Sequence, residues 1–142
     1  MIEVKNLSKS FDGRTVLDNV SAEFYTGKTN LIIGQSGSGK TVLMKSLVGL
    51  LRPEEGSILF DGRNLLDMNR EEVKKLRQEI GMLFQGSALF DSETVLGNVM
   101  FPLKMFTGNS YAENRERAMF CLERVNLKGA ENKYPSEISG GM

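Results

Sequence analysis

The sequence has no histidine and only one cysteine among its 142 residues. A single cysteine, Cys121, cannot form a disulfide within the chain, which fits a reducing compartment. The 18 basic and 18 acidic residues cancel, so no global positive charge favours nucleic acid as a partner. No apolar run approaches the length of about 20 residues that a membrane-spanning helix needs. The length is that of one ordinary domain, and the composition is typical of a globular protein.

The chain does contain a glycine-rich stretch between an apolar run and a helical pattern. Residues 34–41 read Gly-Gln-Ser-Gly-Ser-Gly-Lys-Thr, the spacing of a phosphate-binding P-loop. Glycines let the backbone approach a phosphate without a Cβ in the way, and successive N–H groups then form an anion nest. The helix that follows adds the positive end of its dipole. The predicted phosphate-binding residues are Gly34, Gln35, Ser36, Gly37, Ser38, Gly39, Lys40 and Thr41.

Two side chains at the end of this motif have separate predicted roles. Lys40 supplies a mobile positive charge for the β- and γ-phosphates, and the Thr41 hydroxyl is placed to ligate Mg²⁺. The alternative is a glycine-rich turn that matches by chance. Because the motif is complete and lies between a strand pattern and a helix pattern, we expect the chain to bind a nucleoside triphosphate with Mg²⁺.

The first half of the chain alternates strand and helix patterns. Alternating apolar residues predict strands at 2–5 and 20–24, with a turn at Asp12-Gly13 between them. Further predicted elements are strands at 28–33, 57–60 and 80–84 and helices at 40–51 and 69–78. An Asp61-Gly62 turn closes the strand at 57–60, and Asn69 with Glu72 forms a capping box for the helix at 69–78. Strands that alternate with helices indicate an α/β class with a parallel core sheet, and the early strands indicate an added antiparallel piece.

The chain after Gln85 has a helical pattern. Residues 94–105 are mostly apolar, and Ser110 with Glu113 forms a capping box for a further helix, which we expect to end at Gly129. We therefore expect a nucleotide-binding core at residues 1–85 and a helical subdomain at residues 86–142.

Three further features resemble the ATP-binding subunits of ABC transporters. Phe11 lies where that family has the aromatic residue that stacks on adenine, and Gln85 matches its Q-loop glutamine. Ser139-Gly140-Gly141 resembles the core of its signature motif. Each feature also has an alternative interpretation. Phe11 could be an apolar residue under a turn, Gln85 an ordinary glutamine at the end of a strand, and Ser-Gly-Gly a common loop tripeptide. Their joint order and spacing extend the resemblance over the whole chain and imply a P-loop NTPase fold of the ABC-ATPase type.

The resemblance also implies roles for these residues. Phe11 and Val16 join the P-loop in binding ATP, and Gln85 contacts Mg²⁺ and the attacking water. Ser139, Gly140 and Gly141 cap the γ-phosphate bound by a second, identical subunit, so that ATP is enclosed in a head-to-tail homodimer.

The signature motif ends in Ser-Gly-Gly-Met142, a form that resembles the one in the ATPases of Mce-associated phospholipid transport systems. These systems are also described as toluene-tolerance or lipid-asymmetry transporters. Residues 83–92 and 98–103 resemble that subfamily as well. This implies transport of a lipid or another hydrophobic compound. It also implies an integral-membrane permease docked between Gln85 and Pro102, and a cytoplasmic position at the inner face of the cell membrane.

The 142 residues contain no match to the family's Walker B aspartate, catalytic glutamate or switch histidine. We expect an incomplete chain, truncated before Walker B, with ATPase activity only in the full-length protein. Without the Walker B strand, we expect the strands that lead to the P-loop and to Gln85 to have exposed apolar faces. We also expect the signature motif to form the cap of a helix whose remaining residues are not in this chain. Carboxylates such as Glu54, Glu55, Asp61 and Asp67 have turn and cap contexts typical of surface residues.

Two other functions stay open at this point. A small-molecule kinase would need an arginine-rich lid, whereas Arg115, Arg117 and Arg124 are spread around one predicted helix. A soluble ABC ATPase of repair or translation is the other alternative, and the neutral charge counts mildly against it.

Overall fold

The computed structural model describes residues 1–84, 86 and 88–142. They form two compact units, Met1–Met82 and Leu83–Met142, each with its own buried core. None of the helices within these described residues is long and apolar enough to cross a membrane.

The first unit is built on a four-stranded antiparallel sheet. Its strands are β1 (Ile2–Phe11), β2 (Arg14–Phe24), β3 (Glu55–Phe60) and β4 (Arg63–Asn64), in the spatial order β2-β1-β3-β4. The turns between consecutive neighbours are Asp12-Gly13 and Asp61-Gly62, and all four residues have positive φ. Such turns match the right-handed twist of paired strands, which is why Asp-Gly favours a tight hairpin. The predicted antiparallel piece and its turn are therefore confirmed.

Two helices belong to this unit, α1 (Lys40–Leu47) and α2 (Arg70–Glu79). The predicted capping box opens α2, because Asn69 Oδ1 accepts from Glu72 N at 3.0 Å and Glu72 Oε2 accepts from Asn69 N at 2.8 Å. The buried apolar residues of the unit are Val4, Leu7, Leu17, Leu43, Leu47, Ile58, Phe60, Leu65 and Leu76.

The two segments predicted as parallel strands, 28–33 and 80–84, are not strands in this structure. Leu31 and Ile33 are both 81% exposed, and Leu83 is 94% exposed. A strand needs a neighbour that satisfies its backbone groups, and within the described ranges no strand pairs with either segment. The predicted parallel pairing of these two segments is therefore not observed among the described residues, whereas the expected exposure of their apolar side chains is observed.

Helix α1 is one turn shorter than predicted, ending at Leu47 rather than Leu51. Gly49 has a φ of +69°, and the N–H groups of Leu50 and Leu51 both donate to Lys45 O. The chain thus leaves the helix through a left-handed residue before it reaches Arg52-Pro53.

The second unit packs two helices, α3 (Val95–Phe106) and α4 (Tyr111–Arg124), around the buried residues Val95, Leu96, Met100, Ala118 and Leu122. The predicted Ser110–Glu113 capping box opens α4. The hydroxyl and the backbone N–H of Ser110 donate to the Glu113 carboxylate, and these hydrogen bonds lower the pKa of that carboxyl. The predicted end at Gly129 is wrong. Asn126 takes a left-handed φ of +58° and Leu127 N donates to Leu122 O at 2.9 Å, which ends the helix at Arg124.

Gly56, in β3, provides a test of how closely β1 and β3 approach. It has a φ of +95°, and an added Cβ would lie 2.5 Å from Lys5 O, whereas Gly62 has a φ of +80° and open space around it. We expect Gly62→Ala to lower the free energy of unfolding by about 1–2 kcal/mol through the left-handed backbone alone. Gly56→Ala should cost clearly more, because the methyl group meets backbone atoms that cannot move freely. Urea unfolding followed by circular dichroism measures both, and equal losses would contradict this account.

Candidate functional site

The glycine-rich loop leads directly into α1. Gly37 and Gly39 have φ values of +79° and +88°, in the region that residues with a Cβ rarely adopt. Gly39 is the N-cap of α1 and its carbonyl accepts the first helical hydrogen bond, from Leu43 N at 2.8 Å. Ser38 N donates to Gln35 O at 3.2 Å, which tightens the loop just before the helix begins.

Gly39 lies directly against β2. An added Cβ would be 2.9 Å from Val16 O and 3.0 Å from Leu17 Cδ2, so no larger residue fits without movement. The loop is also tight internally, since a Cβ on Gly34 would lie 2.6 Å from Ser38 Oγ. Val16, which the resemblance assigns to the nucleotide site, is therefore next to the end of the P-loop in this structure.

Lys40 bends back over the loop. Its Nζ donates to Gly34 O at 2.8 Å and to Gln35 O at 2.6 Å. An ammonium group has three donors, so a further donor remains for a phosphate oxygen. Thr41, the residue predicted to ligate Mg²⁺, is exposed in the first turn of α1, and Gln35, Ser36, Gly37 and Ser38 are exposed as well. Elsewhere in the described ranges, no group of three or more His, Cys, Asp or Glu residues could hold a metal ion.

Phe11 is at the tip of the β1–β2 hairpin, where it pairs with Arg14. It is 40% exposed, so part of its ring is accessible for stacking. Val16 is two residues beyond this pair on β2. Phe11, Val16 and the P-loop thus belong to the same compact unit, with β2 as the physical link between the hairpin tip and the loop.

The remaining predicted site residues belong to the second unit. Gln85 lies outside the described residues. Ser139, Gly140 and Gly141 are exposed in a turn that Met142 N closes on Ser139 O at 2.9 Å. Ile138, just before them, packs partly against the core of this unit.

Two residues near the hairpin tip were not predicted from the sequence. Lys9 Nζ is 5.1 Å from the centroid of the Phe11 ring, and it donates to Glu54 Oε1 at 2.5 Å. Lys9 and Phe11 are separated by two positions on one strand, a spacing that places side chains on one face and could have indicated this contact. Glu54 is 45 residues further along, and no local pattern predicts its position.

The arginines of α4 are not all spread around the helix as predicted, because Arg117 and Arg124 share one aromatic ring. Both lie over the ring of Phe120, with Cζ 5.2 Å and 5.9 Å from its centroid. Arg115 is exposed on the same helix. This arrangement is that of a solvated helix surface and does not resemble a lid that encloses a phosphate.

The left-handed glycines, the helix that begins at Lys40 and the lysine folded over the loop define a P-loop phosphate-binding domain. Residues 17–142 match the family described as ABC transporter. The chain belongs to the ABC transporter family.

Among its relatives, the chain is 44% identical to the probable ribonucleotide transport ATP-binding protein mkl of Mycobacterium leprae, over 99% of this chain and 41% of that protein. It is 42% identical to the intermembrane phospholipid transport system ATP-binding protein MlaF of Haemophilus influenzae, over 100% of this chain and 54% of that protein. The methionine import ATP-binding protein MetN of Carboxydothermus hydrogenoformans is also 42% identical, over 99% of this chain and 42% of MetN. The chain thus spans about half the length of these curated relatives.

A solved structure with the same fold is the dimeric, post-hydrolysis state of the ATP-binding cassette MJ0796 bound to ADP and Pi. It superposes with a TM-score of 0.88 at 33% identity, over 99% of this chain and 64% of that one. The fold is therefore that of an ABC ATPase cassette, as the resemblance predicts.

The contact between Gly39 and Val16 can be tested against Gly37. Both glycines have left-handed φ, but only Gly39 has backbone atoms where a Cβ would be. We expect Gly37→Ala to lower the free energy of unfolding by about 1–2 kcal/mol. Gly39→Ala should cost more, because it also separates the loop from β2. Urea denaturation gives the two values, and a Gly39→Ala protein as stable as Gly37→Ala would show that the approach is not constrained.

Proposed function

We propose that this chain is part of an energy-coupling subunit of an ABC transporter and that its P-loop binds ATP with Mg²⁺. The observation that carries the proposal is the loop itself, in which Gly37 and Gly39 are left-handed and Lys40 Nζ spans the loop carbonyls. The names of the relatives support it, because mkl, MlaF and MetN are all described as ATP-binding proteins of transport systems.

Different residues of the chain contact the phosphates, the Mg²⁺ ion and the base of ATP. The backbone N–H groups of Gly37, Gly39, Lys40 and Thr41, the last two at the N-terminus of α1, bind phosphate oxygens. Lys40 donates its remaining hydrogen to the β- and γ-phosphates, and Thr41 offers its hydroxyl to Mg²⁺. When bound, Mg²⁺ neutralises part of the phosphate charge. Phe11 offers a ring face to the base, beside Val16, and Gln85 orients the attacking water.

Lys45 provides a control for Lys40, since both belong to α1 and carry the same charge. Lys40 is at the start of the helix over the loop, whereas Lys45 is in its last turn. We expect Lys40→Met to weaken ATP binding at least tenfold in the presence of Mg²⁺, because it removes a charge-assisted hydrogen bond to phosphate. Lys45→Met should change the affinity less than twofold. Isothermal titration calorimetry on the purified protein measures both, and an equal effect of the two substitutions would contradict the proposed site.

We further propose a head-to-tail homodimer that encloses two ATP molecules. In this arrangement the exposed turn at Ser139, Gly140 and Gly141 of one copy caps the γ-phosphate bound at the P-loop of the other. Gly140 and Gly141 are exposed, and a Cβ on either would meet nothing within 4 Å, so the turn has open space in which a phosphate of the partner subunit can approach. The cassette MJ0796, which this chain resembles, is described as dimeric in two of the solved structures that match the chain.

The turn can be tested by placing a negative charge in it. Ser139→Glu would bring a carboxylate toward the γ-phosphate of the partner subunit, so we expect ATP-dependent dimerisation to weaken at least tenfold. Ser136→Glu makes the same charge change at an exposed position in the same unit and should have less than a twofold effect. Sedimentation velocity with ATP and Mg²⁺ measures the dimer fraction. Unchanged dimerisation of the Ser139 variant would exclude the turn from the shared site.

ATP hydrolysis is proposed for the whole protein and is not assigned to a carboxylate of this chain. Glu54 is hydrogen bonded to Lys9, Asp61 to the N-terminal ammonium group, and Asp67 to Asn64 Nδ2 at 2.7 Å. These partners give each carboxylate a structural role. The arrangement of arginines on α4 likewise argues for an ABC subunit over a small-molecule kinase.

The cargo is proposed to be a lipid or another hydrophobic compound. Overall identity does not decide this, since relatives named for ribonucleotide, phospholipid and methionine transport are all 42–44% identical to the chain. The proposal rests instead on the local motifs at 83–92, 98–103 and the end of the signature turn. A permease would dock between Gln85 and Pro102, where Phe90 and Phe101 are exposed with ring centroids 4.7 Å apart. The subunit would then lie on the cytoplasmic face of the membrane.

A further inference from the structure

Glu54 contacts three consecutive residues of β1 just before the hairpin tip. Its backbone N donates to Ser8 O at 3.0 Å, its Oε1 accepts from Lys9 Nζ at 2.5 Å and its Oε2 accepts from Ser10 N at 2.8 Å. The hydrogen bonds from Lys9 and Ser10 lower the pKa of the Glu54 carboxyl below its ordinary value. Glu54 therefore places a fixed negative charge beside the end of β1, the strand that carries Phe11.

Lys9 is held between this carboxylate and the Phe11 ring. Its side chain is only 15% exposed, although lysine side chains are usually mobile and solvated. Its ammonium group lies 5.1 Å from the ring centroid, within the range of about 6 Å in which a cation is attracted to an aromatic face. A weakly solvated ammonium group makes this attraction stronger than it is on an open surface.

We propose that Lys9 and Glu54 are positioning residues for the nucleotide base, acting through the ring of Phe11. This inference rests on the proposed ATP site. Lys9 covers one face of the ring, so the base stacks on the opposite face. Glu54 holds Lys9 in place, and together they keep the ring in one orientation before the ligand arrives.

The physical benefit is a smaller loss of entropy on binding. A free phenylalanine at a hairpin tip has to be immobilised when the base stacks on it, and immobilising a side chain costs binding free energy. A ring already held by Lys9 avoids most of that cost. Because the phosphates bind at the P-loop, the effect applies only to ligands that carry a base.

This difference provides the test. Binding of ATP and of tripolyphosphate, which has no base, is measured by calorimetry on the purified protein with Mg²⁺. We expect Lys9→Met and Glu54→Gln to weaken ATP binding about three- to tenfold, the range that immobilising a side chain costs on binding. Tripolyphosphate binding should stay within twofold, which also shows that the loop is still folded. Lys9→Arg retains the cation and should bind ATP nearly as well as the original protein.

Lys5 supplies a matched control on the same strand. It forms an ion pair with Glu3 at 2.9 Å and has a side chain that is 56% exposed, so Lys5→Met should leave binding of both ligands unchanged. In addition, Lys9→Met should have no further effect on ATP binding in a Phe11→Ala protein, because the two residues act through one ring.

The outcomes separate this inference from the function on which it rests. If Lys9→Met leaves ATP binding unchanged, weakens both ligands equally, or adds its full effect to that of Phe11→Ala, the positioning role is wrong while the phosphate site stands. If the original protein binds neither ATP nor tripolyphosphate, the proposed function fails, and the positioning role fails with it.

Discussion

The close approach of Gly39 to Val16 is the contact on which the candidate site depends. It brings the start of α1 against β2 at a distance that only a glycine permits. One residue therefore meets two requirements, a left-handed backbone at the helix N-cap and the absence of a Cβ at the strand. Without this contact the loop could still bind an anion, but nothing would place it beside the hairpin tip that carries Phe11.

The hairpin tip is in turn determined by long-range contacts. Strand β1 is central in the described sheet, with β2 on one side and β3 on the other, so its end is constrained from both directions. Glu54, at the entrance to β3, adds side-chain hydrogen bonds to Lys9 and Ser10 at the point where regular pairing with β3 stops. The ring that we propose for base stacking is thus supported by a residue distant from it in sequence.

Strand pairing also explains the difference between predicted and observed structure in the first unit. Residues 28–33 and 80–84 have the apolar composition of buried strands, yet Leu31, Ile33 and Leu83 are mostly exposed. An apolar run favours burial, but it becomes a strand only where another strand satisfies its N–H and C=O groups. The hairpin of β1 and β2 forms because its partner is supplied by the next residues along the chain.

The sequence by itself determined the local features of this protein. The P-loop motif, the Asp-Gly turns and the capping boxes at Asn69 and Ser110 depend on residues a few positions apart, and each is present as predicted. The ends of α1 and α4 were predicted less well, because Gly49 and Asn126 stop the helices before the expected residues. Tertiary structure alone decided the contacts of Val16 with Gly39 and of Glu54 with Lys9. These contacts join residues 23 and 45 positions apart, and no local energetic preference specifies such a pair until the sheet has brought its members together.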